Sequence, residues 1–167
     1  MEKVLFVVDM QEIYVGRGRN LEKYKYNADA LFETINMRIA EYPPEEVFYF
    51  KSIAKGLGGI MGSMPKAGTH EAKFAEKLKV VGKNIYERSK PDVLSIETIV
   101  DFLRSRGIKQ IEIVGVDGGG SIGQTVVTAT NEYNINVIYD NNCIGTIYPD
   151  KEKKLREKFK KSRVTYR

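Results

Sequence analysis

Gly115-Val116-Asp117-Gly118-Gly119-Gly120-Ser121-Ile122-Gly123-Gln124-Thr125 is the stretch around which the chain is organised. Ahead of it lies an apolar run, Gln110 to Val114, that reads as a buried strand; from about Ser121 to Glu132 the pattern reads as a helix. A strand that passes into a helix through a glycine-rich turn marks the carboxyl edge of an α/β sheet. Ligands bind there because helix N-termini present unpaired N–H groups beyond the strand ends. Three consecutive glycines imply a sharp bend or a close approach of the backbone to something else. A bare connection needs only one glycine, so the turn reads as a site.

Upstream, the pattern repeats the same architecture. Lys3-Val4-Leu5-Phe6-Val7-Val8-Asp9 is continuously rather than alternately apolar, as in a strand buried on both faces, and it leaves Asp9 at the carboxyl end. Asn27 is placed to cap a helix whose apolar face is Ala28, Leu31, Phe32, Ile35 and Ile39, and Pro43-Pro44 stops it. A second strand reads Glu46 to Phe50, which completes a βαβ unit with a right-handed crossover. Lys51 to Lys66, with Gly56, Gly58, Gly59, Gly62 and Pro65, reads as a long functional loop. Lys79 to Arg88 reads as a short extended or irregular segment. Ser95 is expected to cap a helix closed by Gly107. A strand from Ile135 to Tyr139 ends in Asp140, and Asn141 to Thr146 reads as a loop. A polar helix from Asp150 to Lys161 and a strand from Arg163 to Tyr166 finish the pattern. The fold class is α/β.

Composition excludes several classes of function. The 167 residues suit one domain, 1–167, and contain no apolar run of eighteen or more, so a soluble, cytoplasmic protein without a membrane partner is expected. Of the net charge of +5, the excess is concentrated between Asp150 and Arg167, where nine basic residues face three acidic ones. Without recognition motifs or interleaved aromatics, that is a solvated helix face and not a nucleic-acid footprint. One cysteine, Cys143, and one histidine, His70, leave no intramolecular disulfide and no His/Cys cluster for a transition metal; no metal and no cofactor is expected.

Two readings of the glycine turn compete on spacing. Gly118, Gly120 and Gly123 fit G-x-G-x-x-G with Asp140 about twenty residues on, the fingerprint of a dinucleotide-binding oxidoreductase. That fingerprint normally belongs to the first βαβ unit, and here it falls in the last third of the chain. The second reading joins strand ends: in a doubly wound sheet the first and fourth strands are often neighbours at the switch point. Asp9, the glycine turn and a lysine just upstream, Lys90, would then share one cleft, making an acid, a cation and a hydroxyl available for nucleophilic chemistry.

Several segments in register resemble the isochorismatase-like cysteine hydrolases: Val7-Val8-Asp9-Met10-Gln11, Gly68-Thr69-His70-Glu71-Ala72, Lys90 with Ser95, and Gly115-Val116-Asp117 with Thr125. The resemblance implies a three-layer α/β/α sandwich with a Rossmann-like, mostly parallel six-stranded sheet. It implies a small-molecule amide, ester or vinyl-ether substrate, and a homo-oligomer whose subunits help close the cleft. It also implies a triad of Asp9 as base, Lys90 as charge stabiliser and Ser121 at the nucleophile position, with Arg88 as the alternative cation. A cis peptide at Val116-Asp117 and an oxyanion hole formed by Val116, Asp117 and Ser121 follow from it too. Gln11, Tyr14, Gly118, Gly119 and Gly120 are the expected substrate-binding residues. Ser121 stands where the resemblance calls for cysteine, and a hydroxyl is much harder to ionise than a thiol. That departure keeps a second member of the class in view, one that retains the pocket for binding without catalysis. The zinc-dependent nicotinamidase branch is rejected, because its Asp and two His are missing from Lys51 to Met64.

Overall fold

The computed structural model describes residues 2–56 and 64–167. β1 (Lys3–Val8) lies inside a six-stranded, all-parallel sheet of order β3-β2-β1-β4-β5-β6, with β2 at Val47–Ser52, β3 at Ile85–Arg88, β4 at Gln110–Val116, β5 at Asn136–Gly145 and β6 at Val164–Tyr166. The apolar run in β1 is explained by its place: Val4, Phe6 and Val8 face one core, while Leu5 and Val7 face the other. A strand with two buried faces cannot alternate polar and apolar residues.

Helices cover both faces. On the side of Leu5 and Val7, the short α1 (Glu12–Val15) and α2 (Ala28–Ala40) bring Tyr14, Val15, Leu31, Phe32, Ile35 and Ile39 into the core. The Asn27 side chain accepts from the Ala30 N–H at 3.1 Å, which caps α2. On the opposite side, α3 (Glu97–Ser105) and α4 (Ser121–Asn131) contribute Ile99, Leu103, Ile122 and Val126, and α5 (Pro149–Lys158) packs on α4. Gly107 (φ 63°) ends α3: its N–H bonds the Arg104 carbonyl and the Ile108 N–H bonds the Leu103 carbonyl, the paired bonds of a left-handed helix cap. Among the described residues no helix is long and apolar enough to cross a membrane.

Several boundaries differ from the sequence expectation, each for a local reason. β2 runs on to Ser52, because the Gln11 side chain binds the Ser52 backbone on both sides, and a 3-10 turn at Pro44–Glu46 takes the residue expected to open it. Ser95 does not cap α3. It closes a 3-10 turn, Val93–Ser95, capped by Asp92, whose carboxylate accepts from the Leu94 N–H at 2.9 Å. Asn141 to Gly145 is strand and not loop, since a register shift opposite Ile113 to Gly115 lets β5 resume pairing with β4. α5 stops at Lys158, and a 3-10 turn, Lys161–Arg163, leads into β6. Gly58, Gly59 and Gly62 of the expected loop lie outside the described residues.

β1 and β4 are adjacent, with Val8 opposite Gly115. Gly115 has φ 118°, and a Cβ there would run into the Val8 carbonyl oxygen and sit 2.9 Å from the Val8 nitrogen. Only glycine combines that backbone conformation with so close a strand contact. Gly115→Ala should therefore destabilise the protein by at least about 2 kcal/mol, read as a lower urea midpoint; an unchanged midpoint would show that the two strands can separate at no cost.

Candidate active site

Three side chains from three different elements meet at the carboxyl edge of the sheet. Asp9 follows β1 in the left-handed region (φ 53°), with its N–H donated to the Phe50 carbonyl at 2.9 Å and its own carbonyl accepting from the Gln11 N–H at 2.8 Å. These two bonds hold a conformation that a non-glycine residue adopts rarely. Ser121 is the first residue of α4, delivered by the glycine turn. Arg88 is the last residue of β3, two strands away from β1, a span on the order of 10 Å. An extended guanidinium crosses it.

The contacts are specific. Arg88 Nη2 donates to Asp9 Oδ2 at 2.5 Å and to Ser121 Oγ at 2.9 Å, and Ser121 Oγ donates to the same Asp9 oxygen at 3.2 Å. Arg88 Nη1 donates to the Lys90 carbonyl at 2.6 Å, which fixes the fork from behind. Asp9 and Arg88 are both almost fully buried. Burial pushes the Asp9 carboxyl above the usual carboxylate range, while the Arg88 guanidinium and the Ser121 hydroxyl pull it back. The other Asp9 oxygen, Oδ1, is buried and makes no hydrogen bond among the described residues.

The cation at this junction is therefore Arg88. Lys90 is exposed, does not line the cleft, and contributes only its backbone carbonyl. The spacing that favoured Lys90 counts residues along the chain, but the turn after β3 carries position 90 outward.

Around the junction is a cavity of about 330 Å³, a size suited to a small molecule. Val116, Asp117, Gly119, Gly120 and Ser121 form one wall. The Val116-Asp117 peptide is cis. Asp117 Oδ1 accepts the N–H groups of Gly119 and Ile147, each at 2.9 Å, tying the turn to the segment after β5; burial raises this carboxyl and the two N–H bonds oppose the rise. The main-chain N–H groups of Asp117 and Ser121 have no acceptor among the described residues. Two unpaired donors beside a hydroxyl could hold an anionic oxygen.

The remaining expected binding residues divide. Tyr14 lines the cavity and shares a 2.7 Å hydrogen bond with Ser52 Oγ. Gln11 does not line it: the fully buried amide donates to the Ser52 and Ala72 carbonyls and accepts from the Ser52 N–H, so it fastens the segment around Ala72 to the sheet. Gly118 also lies behind the wall. A Cβ on it would come within 2.5 Å of Thr146 Oγ1, and one on Gly123 within 2.5 Å of the Gly118 carbonyl and 2.7 Å of Leu155. These glycines are small because α5 and the strand before it press on them.

That packing removes the dinucleotide reading. Gly118 and Gly123 are filled from behind by protein, and Asp140 lies inside β5, buried and bonded to Arg38 Nη2 of α2 at 3.2 Å, away from the cleft. Cys143, buried on the α2 side with its thiol pushed up to about 11 by burial, and His70, exposed beside Glu12, are also outside the cleft.

Residues 3–165 match the isochorismatase domain family. The chain belongs to that family. Its fold is shared with solved structures of low sequence identity. An isochorismatase family protein from Desulfovibrio vulgaris superposes with a TM-score of 0.80 at 16% identity, covering 99% of this chain and 93% of that one. A nicotinamidase/pyrazinamidase from Acinetobacter baumanii gives 0.80 at 17%, covering 99% and 95%. The pyrazinamidase of Pyrococcus horikoshii, in complex with zinc, gives 0.74 at 18%, covering 100% and 99%. No curated protein matches the chain by sequence. The residues of this isochorismatase-family chain do not fit a zinc centre: among the described residues no three His, Cys, Asp or Glu side chains cluster, and residues 57–63 contain none of these types.

Tyr148, Gln124 and Lys151, which also line the cleft, carried no sequence signal, because α5 and the loop before it read only as a polar helix and its approach. The buried pair supplies a direct test of geometry. Arg88→Met should cost about 3 kcal/mol in chemical denaturation, because it leaves a buried carboxyl without its partner, whereas Lys90→Met should stay within about 0.5 kcal/mol of the parent. The reverse order would place the essential cation at position 90.

Proposed function

We propose that the protein hydrolyses a small amide or ester by acyl transfer through Ser121. The supporting observation is the junction itself: Ser121 Oγ donates to Asp9 at 3.2 Å while Arg88 donates to both. In the first step Ser121 Oγ attacks the carbonyl carbon and its proton passes to Asp9. The carbonyl oxygen becomes an oxyanion, stabilised by the N–H groups of Asp117 and Ser121. Collapse of the tetrahedral adduct breaks the bond to the amine or alcohol, which leaves with the proton held by Asp9. Water then attacks the acyl-serine, gives a proton to Asp9, and the acid departs as Ser121 Oγ recovers that proton.

Arg88 plays a double part. Its charge favours negative charge on Ser121 Oγ, yet its pairing with Asp9 makes that carboxylate a weaker base; burial of Asp9 works the other way. A guanidinium also never deprotonates, so it cannot act as an acid. The same pairing favours a second reading, in which Arg88 occupies both polar groups and the cleft binds without turnover.

Labelling separates the two. An activated ester should acylate the wild type and not Ser121→Ala, seen as a mass increase by intact-protein mass spectrometry, and Ser121→Cys should acylate faster because a thiol ionises more readily. A wild type and a cysteine variant that both stay unlabelled would leave only the binding role. For turnover, Asp9 must be ionised, and burial raises its carboxyl, so the acid limb of activity should lie above the ordinary aspartate range. Arg88 lowers that carboxyl, so Arg88→Gln should move the acid limb further up. A limb that does not move in the pH profile of Arg88→Gln would remove Asp9 from the role of base.

A further inference from the structure

We infer that Lys151 makes the cleft selective for substrates that carry a carboxylate a short chain away from the group attacked. The identity of the attacked group rests on the acyl-transfer reading; recognition of the anion does not.

Among the described residues, four charged side chains line the cleft: Asp9, Arg88, Asp117 and Lys151. Asp9 and Arg88 neutralise each other at 2.5 Å. Asp117 commits Oδ1 to the Gly119 and Ile147 amides that hold the turn. Among the described residues, Lys151 has no carboxylate within ion-pair distance. Its ammonium instead lies 4.5 Å from the ring centroid of Tyr148, which also faces the cleft. A cation–π contact orients a lysine without neutralising it, and the Asp117 carboxyl, which feels the Lys151 charge without pairing with it, is pushed by burial toward its neutral form.

The position runs against local electrostatics. Lys151 is in the first turn of α5, where the helix end favours acids, and acids do stand on either side of it at Asp150 and Glu152. Its backbone is also close to the chemistry. A Cβ on Gly119 would be 3.3 Å from the Lys151 Cβ, and Gly119 lies two residues from both Asp117 and Ser121. A flexible lysine stem starting there reaches over the same cavity in which an acyl group would sit. Gln124, in the first turn of α4, is exposed on the same lining, and its side-chain amide makes no hydrogen bond among the described residues, so it offers a second donor to the anion. An ammonium and an amide on one lining suit a carboxylate, and the cavity of about 330 Å³ limits the molecule that carries it.

The test compares two esters of the same length, 4-nitrophenyl hexanoate and the mono-4-nitrophenyl ester of adipic acid, each corrected for spontaneous hydrolysis. In the wild type the carboxylate-bearing ester should have a kcat/KM at least about tenfold higher, and in Lys151→Met that ratio should fall to about one. In parallel, calorimetry at low salt should find adipate bound by the wild type and about tenfold more weakly by Lys151→Met. A ratio that survives Lys151→Met, or a wild type that neither prefers the charged ester nor binds adipate, overturns the inference. If neither ester turns over but adipate binds through Lys151, the acyl-transfer reading fails and the recognition of the anion stands. Lys151 is exposed, so its variant should keep the parent Tm, and a matched Tm secures the comparison.

Discussion

The ion pair between Asp9 and Arg88 is the constraint from which the carboxyl edge of the sheet is built. Removing two charges from water is expensive, and the pair is held by the backbone on both sides even though Asp9 Oδ1 and Arg88 Nε make no hydrogen bond among the described residues. Asp9 is turned to φ 53° and held by bonds to Phe50 and Gln11, and Arg88 is braced by the Lys90 carbonyl. Ser52, at the end of the intervening strand, is fastened through Gln11 and in turn touches Tyr14. Three strand ends are thereby locked to one another before any ligand enters. Ser121 completes the arrangement from the far side, which makes the first residue of α4 answer to the ends of β1 and β3.

The glycine turn supplies the other half of that precision. Its glycines are required by what lies behind them: Thr146, the Tyr148 carbonyl, Glu152 and Leu155 leave no room for side chains at Gly118, Gly119 and Gly123. Glu152 then anchors this backing by accepting from Thr146 Oγ1 at 2.7 Å and from the Tyr139 hydroxyl, Oη, at 2.8 Å, with Arg156 as its cationic partner. A turn compressed in this way presents its amides from a fixed backbone, and fixed dipoles need no reorganisation when charge develops. Of the G-x-G-x-x-G positions, Gly118 and Gly123 are thus set by packing from behind, while a Cβ on Gly120 would meet the Asp117 side chain.

How far the sequence foretold this depends on which physical signal each residue carried. β1, β4 and α2 were legible because two-sided burial and helical spacing leave continuous or periodic apolar patterns; Asp9 stood out as the end of one such pattern, whereas Ser121, which opens a helix after the glycine turn, was singled out by the family resemblance. β3 leaves no such trace. It is a four-residue edge strand with only Arg88 fully buried, so its register, and with it the choice between Arg88 and Lys90, could not be read. Asn141 and Asn142 hid the continuation of β5, since their side chains suit turns and they lie at the irregularity between two stretches that pair with β4, Asn136 to Tyr139 and Ile144 to Gly145. Gln11 was found but misassigned: a buried amide that satisfies three backbone groups looks, in sequence, like one that binds a ligand.

Serine and arginine are best understood as a pair. A hydroxyl gives up its proton far less readily than a thiol, so a serine nucleophile needs a base that is both close and kept from relaxing into water. Burial of Asp9 meets the second need, but a buried carboxylate without a partner would take up a proton and lose its function. Lysine could meet the charge, yet its single ammonium cannot match the planar fork by which Arg88 reaches Asp9 and Ser121 from Nη2 and the Lys90 carbonyl from Nη1. The guanidinium therefore holds the Asp9 carboxylate and the Ser121 hydroxyl at a set distance and opposes the rise that burial imposes on that carboxyl. Both donors, Arg88 Nη2 and Ser121 Oγ, converge on the single oxygen Asp9 Oδ2, so the hydroxyl and the guanidinium are registered on the same atom.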